Sequence, residues 1–167
     1  MKNSGRTLKR RLQLLGNRLT LIKHHKGHGV HSPFVYGFVR RVIMTNTLCE
    51  GANLSLYNDL LAKGVAEKRA RELNNILCYI EGQSYSINEV ECDLSILLAD
   101  YPAEQLREAY EEAKREGVTL AIYQPYLNRE RQEEVKALLD MHCSTTIDNR
   151  AYILFFNNHL PKQHYRL

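Results

Sequence analysis

The sequence of 167 residues has no tryptophan, no long apolar run and no low-complexity segment. No apolar stretch approaches the roughly 20 residues of a membrane-spanning helix, so we expect no transmembrane segment. The N-terminus is basic but lacks the compact apolar core and small-residue cleavage site of a signal peptide. With 44% hydrophobic and 25% charged residues, the composition is that of a globular protein.

Cysteine motifs for metal binding or redox chemistry are also missing. The four cysteines are Cys49, Cys78, Cys92 and Cys143, and no two of them form a CxxC pair. This spacing favours neither a zinc site nor a disulfide framework. We therefore expect four free thiols in a reducing cytoplasm. Cys92 and Cys143 lie in or beside predicted strands, where buried and unreactive thiols are usual.

Acidic residues are absent from the first 49 positions, whereas the rest of the chain is net acidic. A segment of one charge sign indicates a polyanion or an acidic protein surface as partner, and the acidic remainder of the same chain is an equally good candidate. The absence of tryptophan and the few aromatic residues in this basic arm argue against recognition of single-stranded nucleic acid. The predicted basic partner surface consists of Lys9, Arg10, Arg11, Arg18, Lys23 and Lys26.

The clearest pattern of secondary structure runs from Asp93 to Phe156. Leu94–Ala99 and Val118–Tyr123 have the composition of buried strands, and between them a helical pattern ends at Gly117. A strand, a helix and a strand in about thirty residues predict a βαβ unit with parallel, adjacent strands. A second helix from Arg129 to about Met141 and two further strands, 143–147 and 152–156, follow. The Asp-Asn turn between those strands predicts an antiparallel hairpin at the end of a mostly parallel sheet.

The first 80 residues have helical patterns. A leucine stripe from Leu8 to Ile22 predicts an amphipathic helix that lies on a membrane surface, binds a partner or packs on its own domain. Ser32 and Pro33 are a strong helix start, and helical patterns also cover 54–63 and 65–80. Four histidines precede Ser32 without an acid nearby, so we expect no metal site there. The helix start with His31 and Ser32 is either an anion site or a plain cap.

The segment Gly27-His-Gly-Val-His-Ser-Pro-Phe-Val-Tyr36 resembles the opening of a family of class I S-adenosylmethionine-dependent methyltransferases common in Bacteroidetes. The ending Leu160–Leu167 is similar to the KQHY tail of that family. Asp93–Tyr123 resembles its fourth strand, following helix and fifth strand, and Arg129–Phe156 its last helix and terminal hairpin. The resemblance implies an α/β fold with a truncated Rossmann-like sheet. We expect a helical N-terminal segment at residues 1–80 and half of a Rossmann-like unit at residues 81–167.

The departures from that family decide the predicted function. A class I methyltransferase holds its cofactor in a glycine-rich turn after the first strand. Here Ile80 is followed within about a dozen residues by the equivalent of the fourth strand, so three strands and their helices have no room. The loop 81–86 has one glycine, Gly82, and of the acidic motif after the fourth strand only Asp100 remains. We expect Asp100 to cap the helix that follows, and we assign no catalytic residue.

The missing strands predict that Leu94–Ala99 has an open edge, which folded proteins cover or pair. Three covers are available: the Tyr85–Val90 segment as a replacement strand, the N-terminal helices, or a second copy of the chain. We favour the second copy, a homo-oligomer, for function.

Three functional hypotheses follow. The favoured one is a methyltransferase-like protein that has lost cofactor binding and acts as a binding or interaction module. The second is an active S-adenosylmethionine-dependent methyltransferase with an atypical or partner-completed pocket formed by Gly82, Asp100, His31 and Ser32. The third is binding of nucleic acid or a membrane surface by the arginine-rich helix, which salt would weaken. A chain without a function of its own is the remaining alternative.

Overall fold

A computed structural model describes residues 32–50 and 54–167 of the chain. The leucine stripe from Leu8 to Ile22, the histidines before Ser32 and the six residues of the predicted basic partner surface lie outside the described residues. The described part is an α/β structure with five α-helices and a mixed six-stranded sheet. The helices are α1 (Pro33–Phe38), α2 (Ser55–Ala62), α3 (Glu67–Tyr79), α4 (Leu106–Glu116) and α5 (Arg129–Met141). The strands are β1 (Tyr85–Ile87), β2 (Leu94–Leu97), β3 (Thr119–Tyr123), β4 (Thr145–Asp148), β5 (Tyr152–Phe155) and β6 (Gln163–Arg166).

The helix ends follow the local chemistry of the sequence. Ser32 Oγ accepts a hydrogen bond from the backbone N–H of Val35 at 3.4 Å, and Pro33 takes the first turn of α1. Helix α1 continues as a π-helical turn over Val39–Ile43, which the sequence pattern did not predict. Gly117 ends α4 in the left-handed conformation that glycine adopts without steric cost, with φ of 71°.

The sheet order is β1-β2-β3-β5-β4-β6. Strands β1, β2 and β3 are parallel neighbours, and β2, α4 and β3 form the predicted βαβ unit. Strands β4 and β5 form the predicted antiparallel hairpin, with β5 between β3 and β4. The hairpin is not the end of the sheet, because β6 pairs in parallel with the far side of β4. The sheet is therefore mixed, with antiparallel pairs only around β5.

Two helical layers cover the sheet, one on each face. Alternate residues of each strand point to opposite faces, so Ala121 packs with α1, α2 and α3, whereas Leu120 packs with α4 and α5. The hydrophobic cluster that contains Ala121 includes residues of the helices before residue 80 and of the strands after it. The predicted division at residue 80 stays a prediction.

Strand β1 covers the edge of β2 that the sequence analysis left open. Tyr85, Ser86 and Ile87 pair in parallel with Leu94, Ser95 and Ile96. Our preference for a second copy of the chain as the cover of this edge was therefore wrong, and the Tyr85–Val90 segment, another of the three expected covers, takes its place with a shorter strand than expected. Among the described residues, the outermost strand on this side of the sheet is consequently β1, which has only three residues.

The expectation of four free thiols was wrong. Cys49 and Cys78 form a disulfide with their Cα atoms 6.8 Å apart, and only Cys92 and Cys143 are free. Asn75 brings the two cysteines together: its Oδ1 accepts from the N–H of Cys49, and its Nδ2 donates to the carbonyl of Thr47. Cys92 is half-buried and Cys143 is exposed, so the expectation of two buried thiols was also wrong. The pairing removes the ground on which a reducing compartment was expected.

Candidate functional site

α/β proteins usually bind ligands at the carboxyl ends of their parallel strands. We call this end of the sheet the carboxyl-end edge, or simply the edge, as distinct from the side of an outer strand. In this chain that edge is formed by the residues that follow β1, β2 and β3, together with the turn between β4 and β5. Three of the residues there, Asn88, Gln124 and Arg150, have the left-handed backbone conformation, with φ of 62°, 48° and 69°. Such strain in residues other than glycine is concentrated at functional sites. The side chains at this edge are therefore the first candidates for a functional site.

Arg131 fills the edge from the α5 side. It lies in the first turn of α5 and is only 1% exposed. Its Nη1 donates to the carbonyl of Tyr101 at 2.8 Å, and its Nη2 donates to the carbonyls of Leu98 at 2.8 Å and Tyr123 at 3.2 Å. Burial lowers the pKa of the guanidinium, and the nearby Asp100 carboxylate raises it in part. One side chain thus satisfies the last carbonyls of two parallel strands.

Asn88 fills the same edge from the β1 side. Its Oδ1 accepts from the backbone N–H of Leu98 at 2.8 Å, and its Nδ2 donates to Asp100 Oδ1 at 3.1 Å. Asp100 was expected to cap the helix after β2, but the short 3₁₀ turn there, Ala103–Gln105, has no side-chain cap. Asp100 instead accepts from Asn88, because β1 brings Asn88 beside the end of β2. The N–H and carbonyl groups of Leu98 and the carbonyls of Tyr101 and Tyr123 thus already have partners within the chain.

The connection from β1 to β2 offers no helix for a cofactor. It consists of residues 88–93, which contain only bends and irregular backbone. A dinucleotide or nucleoside site in this class of sheet places a phosphate or carboxylate at the N-terminus of the helix that follows the first strand. Parallel strands are usually joined by a dozen or more residues, and here six suffice. The geometry thus has neither a glycine-rich turn nor a helix dipole at this position.

A buried polar cluster lies between α3 and the β4–β5 turn, on the face of the sheet opposite to the one that α4 and α5 cover. Glu72 is 1% exposed, and its Oε2 accepts from Arg69 Nη1 at 2.6 Å and from Asn149 Nδ2 at 3.4 Å. The Tyr152 hydroxyl is fully buried beside it, but neither Tyr152 Oη nor Glu72 Oε1 has a hydrogen-bond partner of good geometry. Burial raises the pKa of Tyr152 well above its usual value, and the Glu72 carboxylate raises it further. Tyr152 therefore stays a neutral phenol.

The β4–β5 turn lies beside the carboxyl end of β3. Asp148 is buried, and its Oδ2 accepts from Tyr126 Oη at 2.5 Å while its Oδ1 accepts from the N–H of Arg150 at 2.7 Å. Burial raises the pKa of Tyr126 above its usual range, and the hydrogen bond from Tyr126 to Asp148 raises it further. Asn149 Oδ1 accepts from the N–H groups of Ala151 and Tyr152, which is the turn chemistry expected of an Asp-Asn pair.

The structure does not bring the sequence-predicted site residues together. Gly82 lies beside Asp93 and Thr119, at the amino ends of β2 and β3, whereas Asp100 follows the carboxyl end of β2. Ser32 caps α1, a helix of six residues, and His31 lies outside the described residues. Gly82 and Asp100 thus lie at opposite ends of β2.

Three buried or half-buried polar residues were missed in the sequence. Arg131 lies in the charge-rich stretch 129–134, but it is four residues before Val135 and seven before Leu138, so helical spacing puts it on the buried face of α5 and Arg129 off that face. Asn88 follows a strand of only three residues, which is too short for a periodic pattern. Glu72 adjoins the apolar stripe of α3, and an acid beside such a stripe was the available signal.

Comparison with known proteins gives no match: no family model, no curated protein and no solved structure is similar to this chain. Among residues 32–50 and 54–167, no helix is long and apolar enough to cross a membrane. Within the same ranges, no three His, Cys, Asp or Glu side chains are grouped to hold a metal ion.

Proposed function

We propose that this chain is a methyltransferase-like protein in which its own side chains occupy the former cofactor edge, and that it acts as a binding or interaction module. The observation that carries the proposal is the occupation of the carboxyl ends of β1, β2 and β3. Arg131 donates to the carbonyls of Leu98 and Tyr123, and Asn88 accepts from the N–H of Leu98. A cofactor at this edge would have to displace a buried guanidinium and break its hydrogen bonds to the carbonyls of Leu98 and Tyr123, which is costly.

The order of elements supports the methyltransferase-like part of the proposal. A strand, a helix and a parallel strand are followed by a helix and an antiparallel hairpin, in the sequence that the resemblance implies. Ser32, Pro33 and Phe34, which belong to the most specific segment of the resemblance, start helix α1. A truncated Rossmann-like sheet is therefore our proposal for the finer description of the fold.

The proposal is tested by titrating S-adenosylmethionine into the purified full-length chain in a calorimeter. We expect no heat at high micromolar cofactor, with an active methyltransferase titrated alongside as positive control. Micromolar binding would contradict the proposal and would favour the alternative, an active methyltransferase with an atypical or partner-completed site. Circular dichroism of the same sample separates absence of binding from absence of folding.

The interaction surface that we propose is the basic arm, with an acidic protein or nucleic acid as partner. A variant with Lys9, Arg10, Arg11 and Arg18 changed to Gln is compared with a control in which Lys63, Arg107, Lys114 and Lys136, exposed on the described body, are changed to Gln. Both variants lose four charges. Binding to a labelled nucleic acid duplex should fall steeply between about 50 and 200 mM salt and should be lost in the arm variant only. Equal losses in both variants would show a net-charge effect.

A homo-oligomer remains part of the proposal, with the outer edge of β1 as the contact, because β1 itself covers β2. Light scattering after size exclusion distinguishes a protomer of 19.4 kDa from its multiples.

A further inference from the structure

A cavity of about 350 Å³ opens at the end of the sheet opposite the edge described above. It lies at the amino ends of β2 and β3, and we call it the amino-end pocket. Helix α1 contributes Phe34, the end of α3 contributes Tyr79 and Glu81, and the residues before β2 and at the start of β3 contribute Asp93 and Thr119. Its volume is at the lower end of the range of small-molecule sites.

The lining of the amino-end pocket carries one sign of charge. Glu81 and Asp93 are the charged residues among the described residues that line it, and no Lys, Arg or His is among them. Asp93 Oδ2 accepts from the N–H groups of Gln83 and Ser84, both at 2.9 Å, and from Ser84 Oγ at 2.8 Å. All three bonds fall on one oxygen of the carboxylate. These hydrogen bonds lower the pKa of Asp93, and the one from Gln83 has the largest effect. The carboxylate is therefore anionic at neutral pH.

Two aromatic rings form another wall of the amino-end pocket. Phe34 and Tyr79 have ring centroids 5.3 Å apart and planes inclined at 59°. The Tyr79 hydroxyl donates to the carbonyl of Phe34 at 2.6 Å, which fixes one ring against the other. Aromatic faces attract ammonium groups through their quadrupole, and the attraction grows when the cation is partly removed from water.

Thr119 supplies a polar group that the fold itself does not use. It lines the pocket and is only 8% exposed, and its hydroxyl has no hydrogen-bond partner among the described residues. Its backbone N–H donates to the carbonyl of Asp93, so the strand is held in place without the side chain. The oxygen is not among the fully buried, unpaired polar atoms of the described residues, so a ligand or water in the pocket can reach it.

The shape of the wall is fixed by close packing at two positions. A Cβ atom on Gly82 would lie 2.7 Å from Leu77 Cδ1 and 3.0 Å from Asp93 Cβ, so a side chain at this position would require Leu77 and Asp93 to shift. Glu81 adopts the left-handed conformation, with φ of 58°, at a cost of about 1 kcal/mol. This conformation ends α3, because the N–H groups of Glu81 and Gly82 then donate to the carbonyls of Cys78 and Leu77.

We propose that the amino-end pocket binds a small aliphatic ammonium ion, held by the carboxylates of Glu81 and Asp93, the Thr119 hydroxyl and the rings of Phe34 and Tyr79. The site is distinct from the carboxyl-end edge and does not depend on the proposed function. The charge of the lining selects a cation, the aromatic wall accommodates its alkyl chain, and the hydroxyl accepts from the ammonium group.

The test compares three molecules of equal chain length with the full-length protein: 1,4-diaminobutane, 1,4-butanediol and succinate. Amide spectra recorded by nuclear magnetic resonance locate the site, and calorimetry gives the dissociation constant. We expect the diamine to bind and to shift the amide signals of Gly82, Gly117 and Thr119, while the diol and the diacid leave them in place. Absence of diamine binding, equal binding of the diol, or shifts confined to other residues would overturn the proposal.

Matched variants separate the pocket from general charge effects. Glu81→Gln removes a lining carboxylate, and Glu89→Gln makes the same change at an exposed residue after the opposite end of β1. We expect Glu81→Gln to weaken diamine binding about tenfold and Glu89→Gln to leave it unchanged. Thr119→Val, which keeps the shape of the side chain, should also weaken binding. Equal weakening by Glu81→Gln and Glu89→Gln would refute a site at this position.

Discussion

Arg131 shows how much a single side chain can determine at the end of a sheet. Its guanidinium crosses from α5 to the carbonyls of Leu98, Tyr101 and Tyr123, and no other described side chain donates to them. The cost of burying a cation is offset here by hydrogen bonds to several carbonyl dipoles. The same bonds that attach α5 to the strands also close the edge at which a ligand would bind.

We expect Arg131→Met to lower the free energy of unfolding by about 3 kcal/mol, because it removes the hydrogen bonds of the guanidinium to the carbonyls of Leu98, Tyr101 and Tyr123. Urea denaturation followed by circular dichroism measures the loss. Arg129→Met is the matched control: it lies two residues away on the same helix, and its side chain is exposed and paired only with Glu133. A similar loss in both variants would mean that helix propensity, and not the buried hydrogen bonds, accounts for the effect.

His142 is the second buried polar residue with a consequence of its own. Its Nδ1 lies 3.0 Å from the Tyr110 hydroxyl, in a core with Phe155. Burial lowers the pKa of His142, and the charges of Lys114 and Lys162 lower it further. The backbone of Phe156 and Thr145 acts in the opposite direction, although Nε2 has no hydrogen bond of good geometry. The folded protein therefore holds the ring neutral.

Stability should consequently fall as the pH is lowered. The unfolded imidazole takes up a proton near pH 6.5, whereas the folded one does so only at lower pH, so the unfolded state gains protons first. The contribution is complete above about pH 6.5 and is lost as the pH falls towards the folded pKa. Unfolding free energies between about pH 7.5 and 5 should decline less in His142→Gln than in the wild type. His164, whose pKa burial also lowers, should contribute separately. An unchanged slope in His142→Gln would contradict this assignment.

At the scale of elements, the turn between β1 and β2 depends on one residue with two tasks. Asn88 adopts the left-handed conformation, and its side chain bonds to both Leu98 and Asp100. Asparagine tolerates this conformation better than other residues with a side chain. The two tasks together allow six residues to join parallel strands.

Two substitutions separate these tasks. Asn88→Gly keeps the backbone conformation and removes the side-chain bonds, whereas Asn88→Ala also adds the cost of the left-handed conformation. We expect Asn88→Gly to lose about 1 kcal/mol of stability and Asn88→Ala about 1 kcal/mol more, as measured by urea denaturation. Equal losses would show that backbone conformation is not limiting at this turn.

At the scale of the whole molecule, the Cys49–Cys78 disulfide joins the segment after α1 to the end of α3. The cysteines are 29 residues apart, so the bond restricts a long stretch of the unfolded chain. Chain-entropy arguments give such a bond a stabilising effect of roughly 3 kcal/mol. The Asn75 hydrogen bonds to Thr47 and Cys49 hold the same segment without it.

We expect two thiols to titrate in the denatured, unreduced protein and four after reduction. The double variant Cys49→Ser, Cys78→Ser should unfold at lower denaturant, with a loss of roughly 3 kcal/mol. Cys92→Ser, Cys143→Ser is the control that removes the free thiols and should change stability much less. Four reactive thiols before reduction would rule out the bond.

The local features of this protein follow from patterns in its amino-acid sequence. The Ser32-Pro33 start of α1, the Gly117 end of α4, the bounds of α5 and the Asp-Asn turn between β4 and β5 all depend on interactions within a few residues, so local pattern predicts them. The βαβ unit followed for the same reason, because strand and helix composition within one short stretch leaves few topologies.

Which distant residues meet depends on the fold as a whole. The place of β6 beyond β4, the pairing of Cys49 with Cys78, the carbonyl partners of Arg131 and the separation of Gly82 from Asp100 all depend on contacts between residues far apart in the chain. Arg131 shares the helical spacing of the buried Val135 and Leu138, but the packing of α5 against the sheet determines which carbonyls its guanidinium reaches. Local periodicity does not specify the partners in such long-range contacts, and both the occupied edge and the amino-end pocket depend on them.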